Sequence, residues 1–164
     1  MKHVIVLIDI SYSMKKNASS IIKGLNKFVE KFKRSVDIYL SVMLFCDSRH
    51  YLCKAVHINT VKPFSTEELP QFGTTFLYDA VGAILTEWGS EKGADHHFFI
   101  ITDGCDTGSV IFTKNGVANL CDEAIKNGWR ITHCGVDSSN LGTGVSEIIG
   151  GIDDLEGLLG NLSI

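Results

Sequence analysis

Hydrophobic and polar positions change period along the chain, and each change marks out an element. His3 to Ile8 is an apolar run that closes on Asp9, the pattern of a strand covered on both faces. Ile21, Ile22, Leu25, Phe28, Val29 and Phe32 follow at spacings of three and four. Lys23, Asn26, Lys27, Glu30 and Lys31 fill the gaps, which predicts an amphipathic helix. Val36 to Phe45 reads as a second buried strand, Asp47 to His50 as a tight turn, and Tyr51 to Ile58 as an antiparallel edge strand. Leu77, Val81, Ile84, Leu85 and Trp88 predict a second helix, and His97 to Thr102 a third buried strand ending in Asp103. Val117, Leu120, Cys121 and Ala124 predict a helix closed by Asn127-Gly128. Arg130 to Val136 is the next strand, and after a glycine-rich stretch Leu155, Leu158, Leu159 and Leu162 mark a short terminal helix.

Strands and helices that alternate in this way, with the strands apolar on both faces, predict an α/β fold. The expected form is a doubly wound, Rossmann-like, mostly parallel sheet with one antiparallel edge strand and helices on both faces. No linker divides the chain, so residues 1–164 are expected to form a single domain. At this length about two-thirds of the unfolded surface is buried on folding, enough to dispense with disulfide or metal staples. In such sheets ligands sit outside the carboxyl ends of the strands, where the winding reverses.

Composition narrows the function classes. With 45% apolar and 21% charged residues, a net charge of −4 and no block of like charge, the chain lacks the electropositive face that nucleic acid or an anionic membrane requires. The run from Val4 to Ile8 is too short for a signal-peptide core or a membrane span. Cys46, Cys53, Cys105, Cys121 and Cys134 form an odd set without C-x-x-C spacing, and read as small buried hydrophobes in a reducing compartment. A cytoplasmic chain is expected, and a viral or phage product in a host cytoplasm would read the same way.

Candidate chemistry lies just after the strands. The first strand ends Asp9-Ile10-Ser11-Tyr12-Ser13, the third core strand ends Thr102-Asp103-Gly104, and Gly73-Thr74-Thr75 leads into the second helix. Two carboxylates and three hydroxyls, with no nitrogen or sulfur, suit a small hard cation such as Mg2+, with Mn2+ or Ca2+ as substitutes. On this reading Ser11, Ser13 and Thr75 contact the metal, and Asp9 and Asp103 act through water or by orienting the hydroxyls. Neutral hydroxyls leave the ion electrophilic enough to accept a Glu or Asp carboxylate from a partner. Tyr12, Thr74, Asp79 and Asp106 are expected around the binding rim, with Ser109 beside them. Asp79 is equally placed to support the site from behind or to cap its helix. The loop from Asn59 to Thr74 is expected to contribute to the rim because it leads straight into Thr75. His96 and His97, being adjacent on a strand, point to opposite faces and cannot share an ion.

At these residues the chain resembles the von Willebrand factor type A family, whose metal-ion-dependent adhesion site is a D-x-S-x-S loop, a threonine on a second loop and an aspartate after a later strand. Asp9, Ser11, Ser13, Thr75 and Asp103 match that pattern in order. Tyr12 and Thr74 stand where the family commonly has glycine. The resemblance spans essentially the whole chain. It implies a magnesium-dependent, non-enzymatic protein-interaction module, expected to be monomeric when isolated.

Two other readings compete. Magnesium-dependent phosphatases and phosphotransfer modules also place an aspartate at a strand end, but the phosphatase pattern needs a second acid two residues later, where Ser11 stands. A metal-free structural module is the third reading, and Tyr12, a bulky residue beside the proposed ion, is the feature that favours it.

Overall fold

The computed structural model describes residues 1–35, 37–91, 93–135, 141–149 and 155–164. Six strands form one sheet: β1 (Lys2–Asp9), β2 (Ile38–Phe45), β3 (Arg49–His57), β4 (Asp95–Ile101), β5 (Arg130–Gly135) and β6 (Ser146–Ile149). Their order is β3-β2-β1-β4-β5-β6, with only β3 antiparallel to its neighbour. The helices are α1 (Ala18–Phe32), α2 (Leu77–Trp88), α3 (Lys114–Lys126) and α4 (Leu155–Asn161). This is the doubly wound, mostly parallel α/β sheet with an antiparallel edge strand that the hydrophobic pattern predicts.

The apolar runs of β1, β2 and β4 are continuous because both faces of the sheet are covered. On one face Val4, Val6 and Ile8 meet Ile21, Leu25 and Phe28 of α1 and Leu159 of α4. On the other, Ile5, Leu7, Phe98 and Ile100 meet Val81, Ile84 and Leu85 of α2 and Val117 and Cys121 of α3. Each fully buried side chain of this size is worth roughly 1.5–3 kcal/mol. The helix α3 ends as its sequence predicts: Gly128 takes φ +94°, and Trp129 N–H returns to Ala124 O at 3.0 Å.

Four details differ from the sequence reading. Arg49 and His50 pair with Phe45 and Leu44, so β3 starts two residues earlier and the reversal is tighter than expected. Ala55, at φ +49°, marks irregular pairing between β2 and β3, and its N–H donates to Ser41 Oγ at 2.8 Å. The strand β6 went unread, being four residues long inside a glycine-rich stretch. The loop from Asn59 to Thr74 lies against α1 for much of its length. Val61 and Phe64 are buried there, and the Asn26 side chain both donates to Phe64 O (3.0 Å) and accepts from Phe64 N–H (2.8 Å). Val36 and Val136, read as strand ends, lie outside the described residues.

Candidate metal site at the carboxyl ends of the strands

The winding reverses between β1 and β4, because β2 leaves to one side of β1 and β4 joins on the other. Asp9 and Asp103 flank that crevice. Asp9 is fully buried, and both its oxygens are occupied: Oδ1 accepts Ser11 N–H and Oδ2 accepts the Thr102 hydroxyl, each at 2.6 Å. Burial pushes its pKa up. The bonds from Thr102 and Ser11 oppose that rise only in part, and the neighbouring Asp103 charge adds to it.

From Asp9 the chain turns outward into a 3-10 turn over Tyr12–Asn17. Ser11 Oγ and Ser13 Oγ lie 3.1 Å apart, and Ser13 Oγ donates to Asp103 Oδ1 at 2.9 Å. Asp9, Ser11, Ser13, Thr102 and Asp103 are thus one connected polar cluster drawn from two parallel strands. Among the described residues only Ala55 of the non-glycines has positive φ, so Tyr12 fills its position without backbone strain, its side chain turned to solvent at 68% exposure.

The second loop is stitched to the first through its backbone. Tyr12 N–H donates to Gly73 O (2.9 Å), Gly73 N–H donates to Ile10 O (3.4 Å), and Ser11 and Gly73 form a parallel bridge. The packing is close there, since a Cβ on Gly73 would stand 2.5 Å from Asp47 Oδ1 and the Asp47 side chain would have to swing aside. Two residues on, Thr75 is buried. Its N–H donates to Thr107 Oγ1 (3.1 Å), and its carbonyl accepts Thr107 N–H (2.8 Å). Within the described residues the Thr75 hydroxyl takes part in no hydrogen bond, whereas its backbone is held on both sides. Thr74 is exposed beside it.

The loop after Asp103 closes over the start of α2. Asp106 Oδ1 accepts Tyr78 N–H (3.2 Å) and Ser109 Oγ accepts Asp79 N–H (2.9 Å), so side chains from a distant segment satisfy the open N–H groups of this helix. Asp79 answers in kind. Its carboxylate accepts Val110 N–H (3.0 Å), Ile111 N–H (2.9 Å) and Phe112 N–H (2.8 Å). Burial would raise the Asp79 pKa, but these three bonds and the Arg49 guanidinium outweigh it and hold the group below its ordinary value. Asp79 therefore does not line the rim. It is 4% exposed and fastens the 110–112 segment from beneath, while Asp106 spends its oxygens on α2 and on the Ser109 hydroxyl and N–H. The sequence shows Thr102 as part of the Thr102-Asp103-Gly104 strand end, but its bond to Asp9 and the Thr107 clamp on Thr75 depend on strand register and loop path, which no local pattern reveals.

No family model and no curated protein matches this sequence. Solved structures do match. An ArnB paralog, VWA2, from Sulfolobus acidocaldarius aligns with a TM-score of 0.67 and 18% identity over 97% of this chain and 44% of its own. Proximal thread matrix protein 1 from the mussel byssus, with a zinc-occupied MIDAS motif, gives 0.65 and 15% over 97% of this chain and 46% of its own. A conserved hypothetical protein, BatB, from Bacteroides thetaiotaomicron gives 0.59 and 12% over 97% and 96%. The chain has the von Willebrand factor type A fold. It spans less than half the length of the archaeal and mussel proteins. Among the described residues no helix is long and apolar enough to cross a membrane.

Proposed function

We propose that the chain is a magnesium-dependent protein-interaction module, in which Ser11, Ser13 and Thr75 hold the cation and Asp9 and Asp103 orient them or act through water. The observation that carries this reading is the Ser11–Ser13–Asp103 chain of oxygens. Magnesium bonds of 2.1 Å place neighbouring ligands about 3.0 Å apart, and the two serine hydroxyls already stand at 3.1 Å. The donors are all oxygen, which suits magnesium, or Mn2+ or Ca2+ in its place. Bound there, the cation would act as a Lewis acid toward a Glu or Asp side chain of a protein partner.

The protein's own contribution is preorganisation. Thr102 and the Ser11 N–H hold Asp9, Ser13 is turned by Asp103, and the Thr107 clamp fixes the Thr75 backbone. The surroundings favour a protein partner. Apart from Met1, the large hydrophobic side chains exposed among the described residues are Tyr12, Val110 and Ile111 at 68%, 82% and 66%. All three lie on the loops that border the site. A net charge of −4 argues against nucleic acid. Catalysis is not part of this reading, because the position two residues after Asp9 carries a hydroxyl rather than a second acid. We further read residues 1–164 as one domain, cytoplasmic and monomeric when isolated.

The test is calorimetric titration of the chain with Mg2+, coupled to partner capture from host extract with magnesium and again with EDTA. One magnesium equivalent lost in Ser11→Ala and Asp9→Ala, and capture that disappears in EDTA, are the expected results. Capture indifferent to chelator overturns the proposal.

A further inference from the structure

A second cluster of metal-ligating side chains lies at the opposite end of the sheet. His3 of β1 and His96 of β4 are register partners on adjacent parallel strands, so their rings emerge side by side on one face. Each is backed by a tryptophan: His3 stacks on Trp88 with centroids 4.0 Å apart, and His96 on Trp129 at 4.2 Å and 2°. The turn after α2, closed by Glu91 N–H on Trp88 O (2.9 Å), brings the Glu91 carboxylate over the pair. Ligand atoms of His3, Glu91 and His96 all lie within 4.8 Å of one another.

The spacing of the ligand atoms around His96 suits a cation. Its Nδ1 lies 3.2 Å from Ala94 O, and a carbonyl can only accept, so Nδ1 donates there and Nε2 is the nitrogen that faces Glu91. Nε2 lies 3.3 Å from Glu91 Oε2. Tetrahedral zinc bonds of 2.0–2.1 Å separate two ligands by about 3.3 Å. The Nδ1–carbonyl contact is also the usual way in which a metal-binding imidazole is oriented. Ser41 Oγ, 3.0 Å from His3 Nε2, fixes the rotation of the other ring. A cavity of about 530 Å³ lined by His3, Trp88, Glu87 and Glu91 gives a metal ion access and room for a further ligand.

We propose that His3, Glu91 and His96 form a second, independent site for a zinc-class divalent ion. Two imidazoles and one carboxylate favour zinc, cobalt or nickel over magnesium. His97, adjacent to His96 on the strand, points to the opposite face and cannot join it. The productive partner is His3, 93 positions away, which only the β1–β4 register reveals.

The full chain, stripped of metal, is titrated with Zn2+ and with Co2+ in excess magnesium, alongside a Ser11→Ala/Asp103→Ala variant that disables the first site. One zinc equivalent in both proteins, with visible Co2+ absorption of a nitrogen- and oxygen-ligated ion, is the expected outcome. His96→Gln should abolish it. Glu91→Gln, at a solvent-exposed carboxylate whose loss leaves the core intact, should weaken zinc binding by about tenfold or more. Circular dichroism confirms that each variant is folded, and Glu91→Gln decides the matter if His96→Gln is not. Absence of binding in the unaltered chain, or an affinity that Glu91→Gln leaves unchanged, overturns the proposal.

Discussion

Thr102 donates its hydroxyl to Asp9 Oδ2 at 2.6 Å, joining the ends of two neighbouring strands beneath the candidate metal site. The contact supports a buried carboxylate whose desolvation already works against its charge. Thr102→Val should therefore cost about 1.5–3 kcal/mol, the range for a hydrogen bond to a charged group. It should also weaken magnesium binding, because Asp9 loses one of its two anchors. Urea unfolding in EDTA and a separate Mg2+ titration measure the two effects apart.

Ser13 makes the opposite kind of contribution. It is exposed and links Ser11 to Asp103 at the surface. Ser13→Ala should change stability by no more than about 0.5 kcal/mol, yet reduce magnesium affinity by about tenfold or more, since a proposed ligand is lost. Equal affinity in the two proteins would remove Ser13 from the site.

Asp79→Asn should loosen the loop rather than the metal centre. An amide group keeps one oxygen and turns an N–H2 toward backbone donors, so a loss of about 2–4 kcal/mol is expected. Hydrogen exchange should show the amides of Val110, Ile111 and Phe112 losing protection, with the β1 amides unaffected until global unfolding.

Acid should destabilise the chain through His97. Burial, aided by the Arg130 charge, lowers its pKa to about 4 from an ordinary 6.5. The unfolded chain binds this proton more readily, so the stabilisation is complete above pH 6.5 and is lost as pH falls toward 4. The slope should be on the order of 1 kcal/mol per pH unit. His97→Phe should remove its share of the slope and leave that of His3, whose pKa burial lowers to about 3, as read by urea midpoints at several pH values in EDTA.

Thiol chemistry should separate the cysteines. Burial pushes Cys121 and Cys134 up to about 12, whereas Cys105 lies exposed two residues after Asp103. An aromatic disulfide reagent at mildly alkaline pH should label Cys105 first, and Cys121 and Cys134 only as the chain unfolds.

The core strands and helices were legible because burial on both faces writes continuous apolar runs, as from Val4 to Ile8, and burial of one face writes the spacing of Ile21, Leu25 and Phe28. The members of the oxygen cluster could be proposed because each follows a strand or opens a helix. What escaped the sequence depends on register and on loop path. The Thr102–Asp9 bond and the pairing of His3 with His96 exist only because β1 and β4 lie side by side in one alignment. The task of Asp79 became visible only when the 104–113 segment was seen to fold back on α2. The strand β6 is too short for its alternation to stand out.

The exchange of hydrogen bonds between α2 and the loop above it bears on kinetics. Val110 and Ile111 hang from amides that Asp79 already grips, so their ordering is completed when the chain folds, not when a visitor arrives. A partner would meet a rigid apolar crest, and its rate of capture would be governed by collision and orientation rather than by waiting for a flap to shut.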